Sequence, residues 1–124
     1  YSCAPFITIK DLKSSFDELK KTKDSFVLPV TEYAHPIQRA FSINNDKKIV
    51  VNDKQSIKKR TQDLKKYYHD TGQFSWGRKE TWTNKDDVIS HSISHIIPSW
   101  RSVDIDNSDD WNRAELMCKS IISK

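Results

Sequence analysis

Glycine is nearly missing from this chain: Gly72 and Gly77 are the only two in 124 residues. A segment that wraps a nucleotide's phosphates spends several glycines on letting the backbone come close. The scarcity therefore excludes a complete phosphate-binding unit of the common kinds. Cysteine is just as scarce. Cys3 and Cys118 lie far apart without metal-ligand spacing, and read as two buried free thiols of a cytosolic protein rather than a disulfide. No apolar run approaches the roughly 20 residues of a membrane span. The chain opens Tyr-Ser-Cys-Ala-Pro-Phe, without Met, as if in the middle of a fold. The expectation is that an amino-terminal part is missing, so the lack of a visible signal peptide carries little weight.

What is present suits one modest domain. Hydrophobic residues make up 35% and charged residues 31%, so apolar material is limited, and the four Trp are expected to supply much of the core. The net charge is +4, concentrated in lysines at 20, 21, 23, 47, 48, 54, 58, 59, 65 and 66 together with Arg60. A basic balance favours anionic partners or, more plainly, a solvated lysine-rich surface. No interleaved basic and aromatic groove pattern points to nucleic acid.

Residues 1–7 read as a strand end and a turn at Pro5. Thr8 caps a helix with Asp11 at the third position, and Leu12, Phe16 and Leu19 share one face. A buried strand over 26–31, interrupted by Pro29, comes next. Ile37 to Ile43 reads as extended, Asn44-Asn45-Asp46 as a turn and Lys48 to Val51 as the returning strand of a hairpin. Residues 54–70 read as a long functional loop with one helical turn. A strand from Gly72 to Trp76, a turn-rich passage over 77–84, a short helix from Asn84 to Ser90 and a short strand from Ser102 to Ile105 complete the middle. Asn107 then caps a last helix, with Asp110 three residues on and an apolar stripe of Trp111, Ala114, Met117, Cys118, Ile121 and Ile122. The mix is α/β with a hairpin excursion.

Three constellations carry chemistry. On a strand, Val103 and Ile105 would point inward while Asp104 and Asp106 point out together, just before a helix. Open α/β sheets bind ligands at that edge, and two carboxylates there suit Mg2+, although a plain turn with capping acids fits the spacing too. Asp109 and Asp110 suit charge compensation at a helix start. The second constellation runs Arg60-Thr61-Gln62-Asp63-Leu64 and then Tyr67 to Trp76, including Gln73. Arg clamps carboxylates, Gln and Tyr read hydroxyls, and aromatics pack on sugar faces; the alternative is a loop followed by a structural strand. The third is Glu32-Tyr33-Ala34-His35-Pro36-Ile37-Gln38-Arg39-Ala40-Phe41, where Gln38 and Ala40 would share a strand face and His35 reads as structural. His91 and His95 have helical spacing but no evident third ligand for zinc.

The ordered set of Ala4-Pro5-Phe6, Glu32 to Phe41, Arg60 to Leu64, Tyr68-His69-Asp70-Thr71-Gly72-Gln73-Phe74, and Asp104-Ile105-Asp106 with Asp110-Trp111 resembles the acylneuraminate cytidylyltransferase family. The middle blocks are most similar to its pseudaminic acid branch. The resemblance covers nearly the whole chain. It implies the carboxyl-terminal part of a Rossmann-like nucleotide-diphospho-sugar transferase fold over residues 1–124, with a β-hairpin dimerisation arm. It implies transfer of CMP from CTP to a nonulosonic acid in the cytoplasm, by a homodimer. Asp104 and Asp106 would then hold Mg2+, and Gln38, Arg60, Gln62 and Gln73 would contact substrate, Arg60 through the acid's carboxylate.

The family's glycine- and lysine-rich amino-terminal stretch has no counterpart here. The 124 residues alone are therefore expected not to turn over. A non-catalytic dimerisation module built on the hairpin is the alternative, and a nucleic-acid binder a remote third.

Overall fold

In the computed structural model, residues 1–23, 26–84 and 87–122 are described. The chain divides into two compact units, Tyr1–Thr31 with Asp70–Lys124 and, between them in sequence, Glu32–His69.

The first unit begins with turns rather than the expected strand end. Helix α1 (Ile9–Lys21) starts where predicted. Thr8 Oγ1 accepts the Asp11 amide at 3.1 Å, while Lys20 and Lys21 close the other end in favourable register with the helix dipole. Its inward line differs from the apolar one expected. Asp11, Ser15 and Leu19 are buried, whereas Phe16 is largely exposed and tilts against Trp76 at 5.1 Å. The polar line is tolerable because each polar member is paired: Ser15 Oγ donates to the Asp11 carbonyl at 2.5 Å and accepts from Trp76 Nε1 at 3.0 Å.

Strand β1 (Phe26–Glu32) runs unbroken through Pro29. In the second unit come β2 (Phe41–Ile43), β3 (Ile49–Val51) and the start of β4 (Tyr68–Asp70). The chain then forms β5 (Trp76–Gly77), α2 (Lys79–Asn84), β6 (Ser92–Ile96) and α3 (Ser108–Ile122). The larger sheet has the order β4-β1-β5, and β6 pairs with β1. β5 is antiparallel to β1 and β6 parallel, with Val27 opposite Trp76 on one side and Ile93 on the other. Phe26 and Val27 are fully buried, and Phe6, Val103 and Ala114 form a second small cluster under α3. Gly77 is a crowding requirement: a Cβ there would stand 2.5 Å from the Phe26 ring.

Several expectations fail in this unit. The strand expected over 72–76 shrinks to Trp76–Gly77, and the turn-rich passage holds helix α2. Residues 85 and 86 of the helix expected from Asn84 lie outside the described residues, and the next element is a 3-10 turn, Ile89–His91. His95 stands on a strand, so the helical pairing with His91 is lost. All four Trp keep some exposure, up to 61% at Trp111, so the core rests on Phe and aliphatic residues instead. Cys3 and Cys118 are exposed free thiols, not buried ones. α3 is capped as predicted: Asn107 Oδ1 accepts from the Asp109 and Asp110 amides at 2.9 and 3.0 Å. Among the described side chains of its expected stripe, Ala114 is the buried one, with Met117 packed alongside.

In the second unit the run expected to be extended from Ile37 opens instead as a 3-10 turn, Ile37–Arg39, for which the fixed φ of Pro36 is a ready start. β2 and β3 form the predicted hairpin, Phe41 opposite Val51 and Ile43 opposite Ile49. Its turn is built by Asn44, whose Oδ1 accepts from the Asp46 and Lys48 amides at 3.0 and 2.9 Å. The long loop holds two 3-10 turns, Ser56–Lys58 and Thr61–Asp63, before β4.

Candidate functional site

The first unit contains a cavity of about 450 Å3. Asp70, Gly72, Ser75 and Asp104 supply its polar wall, and Leu28, Phe74 and Trp82 much of the apolar remainder. Gly72 adopts φ +60, and a Cβ on it would lie 2.8 Å from Asp104 Oδ2, so glycine both permits the turn and leaves room for the carboxylate. Asp70 Oδ1 accepts the Gly72 amide at 2.9 Å, which fixes the turn from its other side.

Asp104 reaches this wall from a segment that is not the strand expected. Among the described residues, 102–105 belong to no ladder. Burial still alternates along it: Val103 is buried, Ile105 half-buried, and Asp104 and Asp106 exposed. Asp106 is not among the residues lining the cavity. Its amide, with that of Asn107, donates to Asp110 Oδ2 at 3.2 Å, so Asp110 serves the helix start. No group of three or more acidic, His or Cys side chains that could hold a metal ion occurs among the described residues.

Gln73 is only 1% exposed, and its Nε2 donates 2.5 Å to the Arg101 carbonyl while its Oε1 has no hydrogen-bond partner. Arg101 in turn grips Asp11, itself 7% exposed, through both guanidinium nitrogens, Nη2 to Oδ1 at 3.1 Å and Nη1 to Oδ2. Thr8 Oγ1 donates to the same carboxylate at 2.5 Å, and His95 Nε2 stands 3.9 Å from it. The Arg101 hydrogen bonds hold the Asp11 carboxyl below its ordinary value against the opposing effect of burial, with help from Thr8 and from the Arg101 and His95 charges. His95 Nδ1 also meets Glu18 Oε2 at 2.9 Å.

The second unit has its own cavity, of about 190 Å3. Gln62 lines it together with Tyr33, Pro36, Thr61, Lys65 and Tyr67, so two of the blocks singled out in the sequence flank one space. Gln38 and Arg60 are not among its lining residues. Gln38 Nε2 donates to the Lys65 carbonyl at 2.7 Å, and its Oε1 is buried without a partner. Arg60 clamps the Asp63 carboxylate with two hydrogen bonds, at 2.9 and 3.2 Å. The Arg-carboxylate geometry expected for a substrate is thus satisfied internally.

Reading the sequence missed Asp70, the positive φ of Gly72 and the Arg101–Asp11 pair. An Asp-Thr-Gly run ahead of a strand is an Asx-turn signal that could have found the first two. Nothing local announces a pair separated by 90 residues.

This chain is similar over nearly its whole length to cytidylyltransferases, as the ordered blocks implied. Two Campylobacter jejuni proteins, from different serotypes and each named pseudaminic acid cytidylyltransferase, are 32% identical to it over 120 residues. The match takes in 96% of this chain and 52% of theirs, so the chain spans about half the length of these curated relatives. A Helicobacter pylori protein named pseudaminic acid cytidylyltransferase and UDP-2,4-diacetamido-2,4,6-trideoxy-beta-L-altropyranose hydrolase is 27% identical over 93 residues, 74% of this chain and 18% of its own. No family model matches.

Proposed function

We propose that this chain is the part of a CMP-nonulosonate cytidylyltransferase that carries the metal-binding acids and the sugar-acid contacts, working on an acid of the pseudaminic class. The observation that carries the reading is the 32% identity to the two Campylobacter enzymes over 96% of the chain. In the reaction, the anomeric hydroxyl oxygen of the sugar acid bonds to the α-phosphorus of CTP. The bond from that phosphorus to pyrophosphate breaks, and the hydroxyl proton is released. The protein's task in such a transfer is mostly to position groups and balance charge.

Mg2+ binds through one or two carboxylates and completes its shell with water and substrate phosphate. Asp104 fits that donor set: it is exposed on a cavity wall, and a Cβ on Gly72 would crowd its carboxylate. Asp104 and Asp106 are the proposed ligands, the alternating burial putting both on the solvent side of their segment. A divalent cation there would neutralise charge developing on the phosphates. Gln62 on its cavity wall is proposed to contact the sugar acid, and Gln38, whose Oε1 is buried and whose Nε2 is bound to the Lys65 carbonyl, would have to turn towards it. Arg60 would have to exchange Asp63 for the acid's carboxylate. Gln73, expected in the same role, turns its amide to a backbone carbonyl instead.

The hairpin supports a homodimer joined through a dimerisation arm, and the parallel pairing of β6 with β1 supports the proposed Rossmann-like fold. Phe41, Ile43 and Ile49 lie on one face of two strands and are 52%, 67% and 61% exposed. A two-stranded hairpin with a bare apolar face is marginal by itself. A second copy of the chain is the proposed cover, and the use of CTP favours the cytoplasm as the enzyme's compartment. The same face is what favours the non-catalytic reading, in which the hairpin dimerises and nothing turns over.

The test uses the full-length protein with CTP, pseudaminic acid and Mg2+, following pyrophosphate release. Asp104→Asn and Asp106→Asn should each cut turnover by about 10²-fold or more. Unchanged turnover in both overturns the metal assignment, and no CMP-sugar from the unaltered protein overturns the function.

A further inference from the structure

The segment bearing Asp104 poses a problem of physical support. It has no strand ladder to fix it, yet its carboxylate is seated so closely on Gly72 that a methyl group there would push it aside. Two attachments lie immediately beside it. The guanidinium of Arg101, three residues earlier, is gripped by the buried Asp11 of α1, and the carbonyl of Arg101 accepts from buried Gln73. Gln73 directly succeeds Gly72, the residue on which Asp104 rests. One side chain thus ties the two backbone segments that meet at the cavity wall, and one ion pair ties both to a helix. We propose that Arg101 and Gln73 are positioning residues that hold the Asp104 carboxylate in place against Gly72.

This role differs from ordinary core support. Val103 already anchors the segment by apolar packing with Phe6 and Ala114, which fixes its depth. The hydrophobic drive behind that packing is non-directional, so it sets the angle at which the next residue emerges less sharply than a hydrogen-bonded pair does. A two-armed guanidinium–carboxylate pair does set an angle. A displacement of about 1 Å at a reacting group costs about 10²-fold in rate, which is the scale at which such a brace matters.

The inference rests on the reading of Asp104 as a metal ligand, and the experiment keeps the two apart. In the full-length protein, Arg101→Met should lower kcat about 10- to 100-fold and raise the Mg2+ concentration for half-maximal rate, leaving KM for CTP within about threefold. Arg101→Lys should recover part of the loss. Because Arg101→Met strands a buried carboxylate and can weaken folding, Asp11→Leu combined with Arg101→Met is made as well. An apolar pair of this kind commonly restores stability. Thermal unfolding of the double variant should return towards the parent while kcat stays low. Gln73→Leu, which leaves the ion pair intact, should show the same Mg2+ shift.

If the double variant regains both stability and kcat, the pair is only structural and the proposal is overturned. If Asp104→Asn is inactive while Arg101→Met keeps its kcat, the positioning role falls and the site reading stands. If Asp104→Asn is itself active, both fall.

Discussion

The two units of this chain are stabilised in different ways. In the first, Phe26, Val27, Ile97 and Val103 are withdrawn from water and a charged network is buried with them. In the second, Ser56 is the only buried residue, and order comes from hydrogen bonds, many of them within turns. Asn44 organises the hairpin turn, and Asp53 accepts from the Gln55 and Ser56 amides at 2.9 and 3.1 Å and from Ser56 Oγ at 2.6 Å. The lesson is that the proposed metal-binding residues sit where packing can hold them to a geometry. The Gln62 and Gln38 contacts are carried by turns that cost little to readjust.

That contrast breaks most visibly in the core. Phe26→Ala, at a fully buried position with its ring edge-on to Trp82 at 4.8 Å, should cost roughly 3–5 kcal/mol in a denaturant titration. A loss below about 1 kcal/mol would mean that the first unit's core does not govern its stability. Acid should come next. The Asp11 carboxyl is held below 3.8 chiefly by the Arg101 hydrogen bonds, so its stabilisation is complete above that ordinary value and is lost as pH falls through the lowered one. Unfolding free energy should therefore fall as the pH drops below that ordinary value, and Asp11→Asn should flatten that part of the curve. The smallest effect belongs to the hairpin. Phe41→Ser should leave the unfolding free energy of a single chain within about 0.5 kcal/mol yet reduce self-association in sedimentation. Unaltered self-association would remove the hairpin as the dimer contact.

The elements read correctly from sequence are those fixed by neighbours. Thr8 with Asp11, Asn107 with Asp110, and Asn44 in the hairpin turn act over two to four residues, and each appears where expected. The failures lie where distant partners decide. Ser102 to Ile105 alternates like a strand, but a ladder needs a partner that no local pattern supplies. Asp11 was legible as a capping residue, while its pairing with Arg101 was not. Gln73 looked like a substrate contact because its neighbours belong to a recognisable block, whereas its burial depends on Arg101, 28 residues away. Of the proposed site, Asp104 was found by pattern, although the strand argued for it is absent. Asp70 and Gly72 lie in a recognisable block whose pattern assigns them no role.

Exposure of the thiols has a practical consequence. Cys3 lies on the wall of the same cavity as Asp104, and Cys118 borders a separate apolar recess with Phe6 and Trp111. The chain thus carries two natural attachment points in different surroundings. An environment-sensitive dye coupled at Cys3 would report whatever enters beside Asp104, with the same dye at Cys118 as its built-in reference.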